Sequence, residues 1–213
     1  MTSTSSQSQV GIAAPGGRLP AVTRLGPVRL QVADLERSIT FYDSVLGFEV
    51  LGRANETALL GPAERTDPLV ILKEQPGVRP VPRRGRLGLF HVAYLLPSRP
   101  DLARFLRHLR EPDTHVGMSD HLVSEALYLT DPDGLGIEVY ADRPRDEWKR
   151  DGHEIAMATE PLDVEHLISA AGDSPWTGAP QETLLRRATT RRNCSSGRSS
   201  SRPLRTWRSR LVG

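Results

Sequence analysis

Cysteine is nearly absent from this chain of 213 residues, and the single Cys194 excludes an internal disulfide framework. That scarcity is typical of proteins kept in a reducing compartment. No window approaches the roughly 18 uninterrupted apolar residues of a membrane helix, and the N-terminus lacks the basic start and apolar centre of a secretory signal. The composition therefore predicts a cytoplasmic protein without a membrane partner, and its 38% apolar residues suffice for a buried core.

Acidic residues are absent after Glu182, whereas that C-terminal segment holds nine arginines. The whole chain has 28 Lys and Arg against 26 Asp and Glu, so residues 1–182 keep 19 basic against 26 acidic residues, a net charge of −7. The basic isoelectric point of about 9.0 therefore belongs to the tail. An acidic body argues against a core that binds nucleic acid, so no nucleic-acid partner is expected.

The two ends of the chain differ in composition from its middle. Residues 1–22 are rich in Ser, Thr, Gly and Ala and are predicted to be disordered. Residues 191–213 are rich in Arg and Ser and low in complexity, so disorder is predicted there too. Residues 151–190 are interpreted as a polar extension and a linker, with one short helix over roughly 163–171.

The segment 23–80 predicts a strand, a helix and three more strands. Asp34 is a typical helix N-cap, and Gly47 is typical of the position after a helix end. Apolar residues recur at helical spacing between these two positions: Leu35, Ile39, Tyr42 and Leu46. The helix should therefore be amphipathic, with about three turns.

Residues 86–145 repeat this order of elements, with Ser98 as the expected N-cap of the second helix. Val32 and Leu96 each end the first strand of their unit and lie 64 residues apart. Repetition at this period indicates two copies of one supersecondary unit. We therefore predict an α+β fold over residues 23–150, in which two βαβββ modules pair in a curved mixed sheet with the helices outside.

Glu138 and His91 are the candidate functional residues at the two ends of the second module. Glu138 lies between two apolar residues on a strand that should be buried, where an unpaired carboxylate is costly. Arg143 or Arg145 could satisfy it, and a lone histidine in an apolar strand is most often an ordinary core or edge residue. Together, however, an imidazole and a carboxylate are two of the three protein ligands of the facial triad that binds non-haem Fe(II).

His121 and Tyr128 precede Glu138 and are the next candidates. Their spacing of seven places them on opposite faces of an ideal strand, so a bulge, or a strand that starts after His121, is needed to bring both to one site. The ordinary interpretation of His121 is a solvent-facing strand end, and that of Tyr128 is a core ring. The residues TDPDG, 130–134, predict a tight turn.

The motif from His121 to Glu138 resembles the signature of extradiol ring-cleaving dioxygenases, in which a histidine precedes a tyrosine, an acidic-Pro-x-Gly turn and a glutamate. Ser119, two residues before the histidine, departs from that signature. With its repeated unit, the chain resembles the vicinal oxygen chelate superfamily of glyoxalases, bleomycin-resistance proteins and extradiol dioxygenases. Over about residues 25–185 it is similar to the N-terminal half of a catechol-2,3-dioxygenase-like subgroup.

This resemblance implies that His91 and Glu138 are metal ligands. It implies further that His121 is the acid/base and that Tyr128 donates a hydrogen bond to the bound substrate. The implied metal is Fe(II), although Mn(II) also suits these donors. A metal-dependent dioxygenase that acts on a catechol-like aromatic substrate with O₂ is therefore expected.

The third metal ligand is the point at which the sequence departs from the family. In the first module Pro27 corresponds to His91 and Ile71 to Glu138, and neither can bind a metal. In the resembled subgroup a third module opens with a histidine-bearing strand, and here the Arg/Ser-rich tail stands in its place. One expectation is a truncated or frameshifted product with little activity of its own, and another is a homodimer whose partner chain supplies the ligand.

Two other functions are compatible with the sequence. A glyoxalase- or epimerase-like lyase site could be completed across a dimer, although Pro27 and Ile71 disfavour it. A metal-free module could bind a small aromatic ligand within the curved sheet. The basic tail could separately bind nucleic acid or a membrane through counterion release.

Overall fold

A computed structural model describes residues 20, 22–79, 88–110, 114–152 and 154–191, with side chains up to Arg186. The predicted disordered segments, 1–22 and 191–213, lie almost entirely outside these residues.

The first module has the predicted order of one strand, one helix and three strands. Its elements are β1 (Val28–Val32), α1 (Leu35–Ser44), β2 (Glu49–Ala54), β3 (Thr57–Gly61) and β4 (Val70–Glu74). The sheet order is β1-β4-β3-β2, in which β1 and β4 are parallel and the other pairs are antiparallel.

The second module repeats this topology. Its elements are β5 (Gly88–Leu95), α2 (Arg99–Arg110), β6 (Gly117–Asp120), β7 (Ser124–Thr130) and β8 (Gly136–Asp142). The sheet order is β5-β8-β7-β6, again with its first and last strands parallel. The predicted α+β fold with two βαβββ modules is confirmed, and the backbone hydrogen bonds divide the strands between two mixed sheets.

Local signals place the helix ends where they were predicted. The Asp34 side chain accepts a hydrogen bond from the backbone N–H of Arg37 at 2.9 Å, as an N-cap does. Gly47 follows the helix with φ of 67°, a conformation that favours glycine. The space beside it is also closed, because a side-chain carbon there would lie 2.5 Å from Cα of Gly178.

The segment that follows the second module is more structured than the sequence predicted. It contains a short 3₁₀ turn and the elements β9 (Arg150–Asp151), β10 (Glu154–Ile155), α3 (Val164–Ser169) and β11 (Leu184–Arg191). The predicted short helix is confirmed as α3, with Asp163 as its N-cap. The stretch interpreted as a linker instead carries β11, which pairs antiparallel with β5.

A single apolar core joins both modules and α3. At its centre the rings of Phe48 and Tyr94, one from each module, meet edge to face with centroids 5.1 Å apart. Trp176 from the following segment packs against Phe105 of α2. None of the helices in the described part of the chain has the length and apolar character needed to cross a membrane.

The turn between β7 and β8 also fastens the second module to the first. The Asp133 carboxylate is 6% exposed and accepts the backbone N–H of Ala33 at 3.2 Å and the guanidinium of Arg37 at 2.7 Å. Within the turn, Asp131 accepts the backbone N–H groups of Asp133 and Leu135 at 2.9 and 2.8 Å. The residues predicted to form a turn thus also dock onto the start of α1.

We expect Asp133→Ala to lower the free energy of unfolding by about 2 kcal/mol, because it removes two hydrogen bonds to a charged acceptor and leaves the N–H of Ala33 unpaired. Urea denaturation followed by circular dichroism measures this change. Asp146→Ala, which removes an exposed carboxylate from the 3₁₀ turn, serves as the control and should change stability by less than about 0.5 kcal/mol. Equal stabilities for the two variants would contradict a docking role for Asp133.

Candidate metal centre

Parallel pairing of β5 with β8 brings His91 and Glu138 together. His91 lies beside Gly136 in the register, and Glu138 lies two residues farther along β8, on the same face. The His91 Nε2 atom is 3.0 Å from Oε2 of Glu138, and the two side chains are 14% and 11% exposed. The carboxylate is therefore paired with the imidazole, while Arg143 binds other carboxylates and Arg145 lies over the ring of Trp148.

The separation of these two donor atoms suits a shared metal ion. Two ligands that are each about 2.1 Å from a metal, at right angles to one another, lie about 3.0 Å apart. Within the described ranges, no group of three or more His, Cys, Asp or Glu side chains could hold a metal ion. His91 and Glu138 therefore have the donor types and the separation that a metal site needs, but they are two donors only in the part of the chain that the structure describes.

Opposing influences act on the Glu138 carboxyl. Burial raises its pKa, whereas the hydrogen bond and charge of His91, a hydrogen bond from Tyr128 and the charge of His121 lower it, and the lowering influences prevail. The pKa of Glu138 thus lies below its ordinary value. The side chain is consequently a carboxylate at neutral pH, which is the form that can bind a metal.

His121 reaches the same site because β7 starts after it, at Ser124, so that the histidine lies in the turn from β6. Leu122 in that turn has φ of 68°, and the chain reverses there. The His121 Nε2 atom is 2.7 Å from Oη of Tyr128, which in turn donates to Oε1 of Glu138 at 3.1 Å. Of the two arrangements that the sequence allowed, the later strand start is the one observed.

The orientation of His121 is fixed by the segment after the second module, which the sequence did not indicate. Its Nδ1 atom is 2.8 Å from the carbonyl oxygen of Ala158. A carbonyl only accepts hydrogen bonds, so Nδ1 carries a proton and Nε2 is directed at Tyr128. The Tyr128 hydroxyl proton then has two acceptors within reach, His121 and Glu138, an arrangement that can pass a proton between them.

A cluster of charged residues holds the β6–β7 turn in place. Asp120 accepts the N–H of Leu122 at 2.7 Å and the guanidinium of Arg143 at 2.6 Å. Arg143 also contacts Glu125, which is 3% exposed and is bound by Arg99 through two further nitrogen–oxygen contacts. This cluster was not predicted from the sequence, in which its only signal is the acidic Glu125 at the start of a largely apolar strand.

The equivalent positions of the first module hold no metal donors. Arg29 pairs with Ile71 in the register of β1 and β4, just as Ala93 pairs with Glu138 in that of β5 and β8. The register thus agrees with the correspondence of Ile71 to Glu138 inferred from the sequence. The first module supports the site without contributing a ligand at these positions.

Comparison with known proteins links the chain to one family. The family model described as the Glyoxalase/Bleomycin resistance protein/Dioxygenase superfamily matches residues 24–139. A catechol-2,3-dioxygenase of Bacillus subtilis (strain 168) is 44% identical over 164 residues, which cover 76% of this chain and 57% of that protein. This chain spans about half the length of the curated relatives that it matches.

Solved structures resemble the chain more loosely. A glyoxalase/dioxygenase from Nostoc punctiforme matches with a TM-score of 0.46 and 19% identity, over 64% of this chain and 100% of that one. The cppA protein of Streptococcus pneumoniae TIGR4 matches with a TM-score of 0.49 and 17% identity, over 66% and 54% of the two chains.

Substitutions around Glu138 should raise its pKa, and the increase should be larger when more of the interactions that lower the pKa are removed. We expect a larger increase in His91→Ala, which removes both a hydrogen bond and a charge, than in Tyr128→Phe, which removes one hydrogen bond. Because the pKa is lowered by folding, the carboxylate stabilises the folded protein above its ordinary pKa, and this contribution is lost as the pH falls through the folded-state value.

Carbon-13 NMR titration of the Glu138 carboxyl measures these shifts. The matched control is His108→Ala, which removes an imidazole that contacts the carbonyl of Ser44 at 2.9 Å, away from the site. A Glu138 pKa that is the same in all four proteins would contradict the hydrogen-bond network described above.

Proposed function

The chain belongs to the glyoxalase/bleomycin resistance protein/dioxygenase superfamily, and from that premise we propose that it carries most of the active site of a catechol 2,3-dioxygenase-like, extradiol ring-cleaving enzyme. The observation that supports this proposal is the continuous contact from His91 through Glu138 and Tyr128 to His121. It joins two metal donors to an acid/base group within one module. The 44% identity to a catechol-2,3-dioxygenase also supports it.

Each of the four side chains has a distinct role in this proposal. His91 and Glu138 hold Fe(II), and Mn(II) would suit the same donors. Bound iron supplies the chemistry with O₂ that side chains cannot. The Nε2 atom of His121 accepts a phenolic proton from a catechol-like substrate, and the Tyr128 hydroxyl hydrogen-bonds a substrate oxygen.

The third donor in this proposal comes from the β11 side of the site. Strand β11 pairs with β5 so that Thr189 lies directly opposite His91 in the backbone register. Residues that are directly opposite on antiparallel strands project from the same face of the sheet. A strand in this place with a histidine at that position, from a longer chain or a partner copy, would complete the set of two histidines and one carboxylate.

Anaerobic titration with Fe(II) tests the metal assignment. We expect the wild-type protein to bind one Fe(II), and we expect His91→Ala and Glu138→Ala to bind at least about tenfold more weakly, because each loses a direct ligand. His108→Ala is the control that should match the wild type. Equal affinity in all four proteins would exclude this pair as the ligands.

Addition of catechol and O₂ to the Fe(II)-loaded protein tests the reaction. Slow formation of a yellow ring-cleavage product near neutral pH, lost in His121→Ala at unchanged Fe(II) affinity, is the expected outcome for a site with two of its three ligands. Iron binding without this product would favour a lyase of the same family. Binding of an aromatic ligand by a protein that takes up no metal would instead favour a metal-free binding module.

Thr189→His should increase both Fe(II) affinity and the rate of ring cleavage, since it places an imidazole opposite His91 in the register. Ala188→His is the matched control, because position 188 pairs with Val92, which lies on the opposite face of β5 from His91. Anaerobic titration and product absorbance measure the two effects. An equal gain in both variants would show that β11 does not present residue 189 to the site.

A further inference from the structure

Gly136, the first residue of β8, leaves the space beside it to His91. A side-chain carbon at Gly136 would lie 2.8 Å from the carbonyl oxygen of Phe90 and 3.0 Å from Cβ of His91. Both distances are shorter than the roughly 3.5 Å at which non-bonded atoms of this kind pack. Because Gly136 is not among the residues with positive φ, its backbone conformation is open to any residue, and the close approach of β5 is what requires glycine.

We propose that Gly136 is a positioning residue of the candidate metal centre, since the missing side chain lets β5 approach β8 closely at residues 90 and 91, and from that position the Nε2 atom of His91 reaches Glu138. The effect on metal binding rests on the proposed function. The effect on the position of His91 concerns the metal-free protein and is independent of it.

Strand β8 cannot easily move away to accommodate a side chain at position 136. The preceding residue, Leu135, donates its N–H to the Asp131 side chain at 2.8 Å and accepts the Asp131 N–H at 2.9 Å. On its other side, β8 is paired with β7 from Gly136 onward. A methyl group at residue 136 should therefore displace the outer end of β5, where His91 lies, rather than the strand that carries Glu138.

The strain should also remain local. The close contacts involve residues 90 and 91 only, near the start of β5, while the pairing of β5 with β8 continues as far as Leu95. We therefore expect Gly136→Ala to fold with both sheets intact and with the imidazole of His91 moved away from Glu138.

Gly52 offers a matched control because it also lies within a strand, β2, and has space around it. A side-chain carbon at Gly52 would be 3.7 Å from Cδ1 of Leu59, an ordinary packing distance. Gly52→Ala should leave the metal centre unchanged and make the unfolded chain less flexible. It separates the general effect of removing a strand glycine from the effect of filling the space beside His91.

Two measurements on the wild type, Gly136→Ala and Gly52→Ala test the proposal. The first, on metal-free protein at one fixed pH, uses NMR to record the ring nitrogen shifts of His91 and the proximity of its ring to Glu138. The second is titration with Co(II), followed through the visible absorption of the metal. We expect Gly136→Ala alone to lose the His91–Glu138 contact and to bind Co(II) about tenfold or more weakly, as for other residues that support a ligand.

Every outcome decides the question. If Gly136→Ala shows the same NMR shifts and the same Co(II) affinity as the wild type, the proposal is wrong. An unfolded Gly136→Ala would overturn it as well, because glycine would then be needed for the whole pairing of β5 with β8. If the wild type binds no Co(II), the proposed metal function fails, and the NMR comparison alone decides whether Gly136 positions His91.

Discussion

Parallel pairing of the first and last strands of the second module is the constraint on which the candidate centre depends. Parallel strands cannot be joined by a tight turn, so a longer connection, here a helix and two strands, lies between β5 and β8 in the chain. This pairing of strands from the two ends of the module brings His91 Nε2 within 3.0 Å of Oε2 of Glu138. The site is therefore a property of the complete module, and a disturbance at either end of it acts on both donor atoms.

The first module contributes to the site through the β7–β8 turn rather than through ligands. Its Ala33 and Arg37 bind Asp133, and Asp131 in the same turn fixes Leu135, the residue before β8. The start of β8 is thereby held between the two modules. This dependence explains how a module with proline and isoleucine at the ligand positions can still determine where Glu138 lies.

Features with a local cause were predictable from the sequence, and features that depend on distant backbone were not. Caps and apolar periodicity predicted the helices, and the repeat predicted the fold and the position of His91 and Glu138 at the two ends of one unit. Strand β6 is four residues long and has no alternating apolar pattern, so its pairing with β7 could not be predicted from the sequence. The carbonyl of Ala158 that orients His121 is a backbone group, which every residue type has, so the sequence could not predict this contact.

The His91–Glu138 contact has a consequence for how tightly a metal can bind. In the metal-free protein the two side chains satisfy one another, which keeps a buried carboxylate paired and holds both donor atoms at a separation that suits one metal ion. A metal ion that binds both donor atoms would benefit from their separation, but it would have to displace the contact between His91 and Glu138. The two donors alone would therefore give only a modest gain in binding free energy over the metal-free state. In the proposed function a third donor would have no such contact to replace, and the backbone register places position 189 of β11 opposite His91, where that donor would enter.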